Sequence, residues 1–315
     1  MEPIGQWREH YNNKNILHLT KGNLLYGATT NQVFTIDAKN NIQFFGKSNG
    51  LHEIEIATIA WDPTEAQLII AYNNSNIDII KGDAVFSVAD IYLSKVYANK
   101  KINSIQVVGS WAFLSTNFGI VVLDLIKHEI KDTWFANNNR QATATYQTIS
   151  TADSLYALTE DGIFTTALKN NYIISNQWIK INGYTDIKKL SSFNNTVYGI
   201  GNKNIYKLPV SNSIYQTSIG HINNAFAHKE GLYIIQSDGA NGTLLNLNTN
   251  NTVTTILDKT FLAMPVDLAI DQNTIWIADS LNGLIIKNTE TKNIALGGPT
   301  EKIRGYGFVN SDYLL

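Results

Sequence analysis

The chain has 315 residues, of which 44% are apolar, 10% aromatic and 16% charged, with a net charge of −2. That balance sets up no global field to draw nucleic acid or a membrane surface, and no apolar run approaches the roughly 20 residues of a membrane span. With no Cys in the chain, disulfides, thiolate metal sites and cysteine nucleophiles are excluded together.

In chain order, residues 4–11, with Trp7 at their centre, read as an outer β-strand with no blade before it. The economical place for such a strand is the last blade of a closed ring, where it removes free sheet edges. Next comes a phrase that recurs seven times: a strand carrying an aromatic or large apolar residue, a small polar turn with Gly or Asn, then a second apolar strand. Tyr26-Gly27-Ala28-Thr29 leading to Val33-Phe34-Thr35-Ile36-Asp37 is the first instance. The cleanest is Phe113-Leu114-Ser115-Thr116-Asn117-Phe118-Gly119-Ile120-Val121-Val122-Leu123-Asp124. With Tyr26, Ile70, Phe113, Tyr156, Tyr198, Tyr233 and Trp276 as markers, the intervals are mostly in the low forties, and the shortest is 35. A period of that length made only of short strands predicts an all-β, single seven-bladed β-propeller of four-stranded antiparallel blades.

The third repeat shows the expected blade. Residues 102–108 alternate apolar and polar and form its innermost strand. Residues 111–116 make the second strand, 120–125 an almost wholly apolar third, and 129–135 the outer one. The other inner strands are expected at 16–19, 55–61, 145–151, 186–193, 222–228 and 266–270. Blade five has little room for an outer strand between Pro209 and Gly220, and 237–242 in blade six is expected to protrude as a loop. No linker divides residues 1–315. Residues 302–310 resemble one more inner strand and 313–315 the start of its partner, so 302–315 is expected to begin a following domain of a longer protein.

Motifs for catalysis are missing. The six His residues stand in no metal-ligand spacing, and His221 and His228 would sit at opposite ends of one inner strand. No nucleophile elbow or phosphate loop occurs. Asp37 and Asp124 read as turn formers, Glu160-Asp161 as a hairpin tip, and the aromatics of the second strands as blade core. No catalytic residue, metal site or cofactor is therefore expected. One disc face would gather the turns between second and third strands and the links between blades. Lys100, Lys101, Arg140, Asn117, Phe118, Lys203 and Tyr184 are the ligand-binding candidates there. Cations beside amides and an aromatic suit an anionic glycan or phosphorylated ligand, and ordinary solvated loops are the competing reading.

Particular stretches look familiar beyond the generic blade. They are Ile4-Gly5-Gln6-Trp7-Arg8-Glu9-His10, Leu68-Ile69-Ile70-Ala71-Tyr72-Asn73-Asn74-Ser75-Asn76-Ile77-Asp78-Ile79-Ile80, Lys101-Ile102-Asn103-Ser104-Ile105, Thr116 to Leu125, Asp161-Gly162-Ile163-Phe164 and Trp178. In these the chain resembles the N-terminal β-propeller of PorZ-type proteins of the Bacteroidetes type IX secretion system. The resemblance implies a non-enzymatic, exported cell-surface module, its signal peptide replaced here by Met1. It also implies two propellers and a sorting domain in the whole protein. Its implied partners are a surface sortase and other secretion components, with an anionic lipopolysaccharide or glycan as ligand. No catalytic motif carries over. Sensor propellers of hybrid two-component histidine kinases share the shorter Gly-apolar phrase, so a ligand-sensing periplasmic propeller is a second reading. A propeller polysaccharide lyase or glycosidase is a third.

Overall fold

The computed structural model describes residues 11–297 except 138, 170, 171, 174–176, 210 and 211, and beyond them two short strands, Phe308–Val309 and Tyr313–Leu314. Seven antiparallel sheets follow one another along the chain, each in simple meander order. Their inner strands are Ile16–Lys21, Ile56–Asp62, Ile102–Val108, Thr145–Ser150, Ile187–Phe193, His221–His228 and Pro265–Asp271. All lie within two residues of the sequence expectation, because the alternating pattern and the Gly turns that delimit them are local signals. The fold is the seven-bladed β-propeller read from the repeat. A single helical turn, Asp90–Leu93, and a 3-10 turn, Lys47–Asn49, interrupt an otherwise all-β chain.

Period-two alternation makes every strand serve two seams. In the second strand of blade three, Ala112 and Leu114 pack toward blade two while Phe113 packs toward blade four. Repeated round the ring, this divides the core into seven clusters, each shared by two adjacent blades. Middle strands are accordingly buried on both faces: Gln67–Tyr72 and Gly119–Asp124 have no exposed residue. Close packing inside a blade needs Gly27, where an added Cβ would lie 2.1 Å from the Phe34 ring.

Blade seven builds all four of its strands from 265–294, with Thr291–Ile294 in the outer place. The segment 4–11 that the sequence assigned to ring closure lies, but for Tyr11, outside the described residues. What closes the described ring is the seam between blades one and seven. Ile16, Leu19 and Phe34 meet Ala269, Ala278 and Leu284 there, and Leu19 N–H donates to Asp267 Oδ2 at 2.9 Å.

Blade six differs from the expected protruding loop. Its second and third strands run on as Gly231–Asp238 and Asn241–Leu247, paired to the last residue, so the excess length extends a hairpin. Blade five has the short outer strand anticipated, Ser213–Gln216. In blade four the long third strand, Gly162–Lys169, takes two short partners, Ile179–Ile181 and Tyr172–Ile173. At the C-terminal end Phe308–Val309 pairs antiparallel with Tyr313–Leu314. The remainder of 302–315 lies outside the described residues.

Candidate functional site: the channel ring and the link face

All seven inner strands carry a β-bulge at the same place. One residue near the start is skipped in the pairing with the second strand: Leu17, Ala57, Asn103, Tyr146, Lys188, Asn223 and Val266 in turn. A bulge re-aims the side chains around it. The residue after each skip is polar: His18, Thr58, Ser104, Gln147, Lys189, Asn224 and Asp267. These seven residues line one cavity of about 740 Å³ on the axis of the disc. The repeat therefore builds a ring of polar side chains, one per blade, half-buried or buried.

Much of the wall is held by hydrogen bonds from one blade to the next. Gln147 clasps the neighbouring strand twice, donating from Nε2 to Leu190 O at 3.0 Å and accepting Leu190 N–H on Oε1 at 2.8 Å. Asn103 Nδ2 donates to Thr145 O at 2.9 Å, Asn223 Nδ2 to Pro265 O at 2.8 Å, and Ser192 Oγ to Ser150 O at 3.0 Å. Ser191 Oγ accepts Ala227 N–H at 2.8 Å. Inner strands of adjacent blades do not form a continuous sheet, so their edge groups need these side-chain partners.

Three members of the ring are titratable. Asp267 Oδ2 lies 3.7 Å from His18 Nδ1 and Oδ1 accepts Leu268 N–H at 2.9 Å. Lys189 makes no side-chain hydrogen bond to the described residues; burial pushes its ammonium below the usual lysine range, and the Asp267 charge opposes that only in part. Among the described residues, no group of three or more His, Asp or Glu is arranged to hold a metal ion.

The candidates taken from the sequence lie on the links and turns of one face, as the hydrogen bonds between those segments show. Asn117 N–H donates to Lys101 O at 3.1 Å, Ser75 Oγ to Lys100 O at 2.8 Å, and Thr217 N–H to Lys203 O at 2.9 Å. Lys101, Arg140 and Lys203 are exposed there, Arg140 with a left-handed φ of 54°. Lys100 is turned inward: Nζ donates to Tyr92 O at 2.6 Å and Ser94 O at 2.8 Å, which pins the loop after the helical turn. Asn117 Oδ1 accepts from Asn103 Nδ2 at 2.8 Å and braces the same face. Tyr184 is half-buried, edge-on to Tyr206 at 5.5 Å, with no partner for its hydroxyl among the described residues.

Phe118 is a correction. It is 6% exposed, sits in the core between blades two and three, and stacks on Tyr97 at 4.1 Å and 9°. The apolar turn residue gains more from that seam than from solvent, which removes it from any ligand surface. Glu160 and Asp161 cap a link, both accepting from Thr143 Oγ1, at 3.0 and 3.2 Å. Asp37 accepts the amides of Lys39 and Asn41, and Asp124 those of Ile126 and Lys127, as turn formers do. His221 and His228 are the first and last residues of one strand.

The polar ring has no signature in residue type, because its members share none. The signal that finds them is an apolar residue, any residue, then a polar one near the inner-strand start, as in Ile16-Leu17-His18, Ile102-Asn103-Ser104, Ile187-Lys188-Lys189 and Pro265-Val266-Asp267, with Thr145 in the apolar place in blade four.

A bulged inner strand from every blade, closing round a polar channel, defines the class: a seven-bladed propeller with an axial cavity. Within that class, residues 25–179 match the family described as the PorZ N-terminal β-propeller domain of the type IX secretion system, and the chain resembles that domain. Among solved structures it superposes on PorZ, an essential bacterial surface component of that system from Porphyromonas gingivalis. The TM-score is 0.75 at 17% identity, over 94% of this chain and 40% of that one. The extracellular domains of a putative hybrid two-component system and a putative one-component system from B. thetaiotaomicron follow. The hybrid system's has a TM-score of 0.66 at 16% identity, over 87% of this chain and 40% of its own. The other has 0.65 at 12%, over 89% and 40%. The chain thus spans about 40% of the length of these structures. No curated protein matches it.

Proposed function

We propose that this propeller is a non-enzymatic recognition and scaffold module of a type IX secretion system. On this reading it is exported to the cell surface and supports the sortase-linked attachment of cargo to an anionic lipopolysaccharide. The observation that carries the reading is the match of residues 25–179 to the PorZ propeller family. The exposed cations Lys101, Arg140 and Lys203 suit the ligand, because an ammonium or guanidinium makes charge-assisted bonds to acidic sugars or phosphates.

Binding of the purified protein to lipopolysaccharide from its own source, with a neutral glycan as control and at two salt concentrations, tests the ligand half of this reading. Selective binding that weakens with salt supports it. Replacing Lys101 and Arg140 together by Ser is expected to weaken that binding roughly tenfold, as the loss of two charge-assisted contacts, with an unchanged melting temperature. Unaltered binding by the double variant would remove these residues from the site.

A second reading rests on the two B. thetaiotaomicron neighbours: a periplasmic sensor propeller that binds a carbohydrate fragment. A kinase domain encoded downstream of the propeller would select it over the secretion role.

A further inference from the structure

We propose that the channel ring is a receptor for an anionic saccharide, with Lys189 as the anchor for its acidic group. The idea rests on the glycan-recognition reading above and moves the ligand from the outer loops to the axis of the disc. Two charges of opposite sign face the cavity from ring positions, and they are unequally satisfied. Asp267 spends its oxygens on Leu19 N–H, Leu268 N–H and the His18 ring. Lys189 has no hydrogen-bond partner among the described residues, although its side chain is half-buried and its ammonium partly desolvated. A partly desolvated cation that Asp267 compensates only in part gains from an anion that pairs with it, so the cavity favours a ligand that brings one.

The rest of the wall says what the anion should be attached to. Ser104, Thr58 and Asn224 stand in the same wall, and an apolar ligand would offer neither them nor Lys189 a partner. Tyr146, 47% exposed, and Phe226 offer flat apolar surface among the polar groups. Sugar rings present both hydroxyls and apolar C–H faces and match that mixture. Lys188 borders the same cavity, its Nζ donating to Asn202 Oδ1 at 2.5 Å in the turn on the link face. Lys188 therefore adds a second cation to the wall of the cavity, toward that face.

Calorimetric titration of the 315-residue protein with galacturonic acid trimer, glucose 6-phosphate and neutral maltotriose tests the proposal. At least one acidic sugar should bind and maltotriose should not. Lys189→Met should lose about tenfold or more in affinity, and Lys189→Arg should restore most of it. Lys131→Ser, at an exposed position on the outer strand of blade three, should bind as the parent does. Lys189→Met is expected to melt no lower than the parent, since it removes a partly desolvated charge. Loss of binding would then not be loss of fold. Binding of the trimer alone assigns a carboxylate as the acidic group, and binding of glucose 6-phosphate alone a phosphate. No binding of either acidic sugar, or equal binding by Lys189→Met, overturns the proposal. Lipopolysaccharide capture that survives Lys189→Met but fails in the Lys101, Arg140 variant would leave the outer-face reading standing without the channel. The converse would leave the channel alone.

Discussion

Asp78 has no exposure, yet it carries a carboxylate into the third strand of blade two. Its oxygens accept His52 N–H at 2.8 Å and the Tyr72 hydroxyl at 2.7 Å, and Oδ1 lies 2.8 Å from His52 Nδ1. Tyr72 is itself fully buried, and burial, followed by the bond to Asp78, pushes its hydroxyl far above the usual range. Replacing Asp78 by Ala should cost about 3 kcal/mol, because it strands a buried hydroxyl and an amide that now bond a charge; urea denaturation measures it. Other tyrosines report on pH. Tyr233, ordinarily near 10.0, is pushed up to about 12, first by burial and then by Glu230. Burial also raises Tyr26, Tyr198 and Tyr215. The unfolded chain ionises above pH 10 while the folded tyrosines stay protonated. Stability is therefore full below pH 10 and should fall as pH rises from 10 toward 12. Denaturation midpoints across that range check the fall, and Tyr233→Phe should make it shallower.

At the scale of the element, a propeller blade is a four-stranded sheet whose inner edge faces an axis. Antiparallel pairing satisfies the strands inside each blade, and side chains do so between blades. The double clasp of Gln147 on Leu190 is the fullest case. Replacement by Leu keeps the bulk and leaves the Leu190 N–H and C=O unpaired. It should lower stability by about 1–3 kcal/mol, and amide exchange of Leu190 should quicken relative to blades one and two. The recurrent bulge belongs to this scale as well. It lets the inner strand present a polar residue to the axis while its neighbours still fill the seams, so one distortion repeated in every blade creates the channel ring.

In the whole molecule, stability is distributed over seven seams with no central core, and the seam between blades one and seven joins residues far apart in sequence. Leu284 is completely buried there among Ile16, Leu25 and Phe34. Leu284→Ala should cost about 2–5 kcal/mol and lower the melting temperature of the ring. A melt in which only one blade loosens, with the other six unmoved, would contradict closure through this seam. Closure also gives function its geometry. His18, Lys189 and Asp267 come from blades one, five and seven and share one cavity only because the ring returns on itself.

Blade number, strand positions and turn residues were legible in the chain alone. Alternation, apolar runs and Gly turns act over a few residues, and the repeat multiplies the signal sevenfold. The turn-forming roles of Asp37 and Asp124 were legible for the same reason. The placement of Phe118 was not, because burial against Tyr97 depends on how a link folds over a seam. Nor was the continuation of the blade-six hairpin, whose Gly-rich stretch reads equally well as a loop. The polar ring depends on seven bulges and on a closure between residues some 250 positions apart, as Leu19 and Asp267 are. Local sequence dictates the strands; only the closed tertiary structure decides which side chains face one another across the channel.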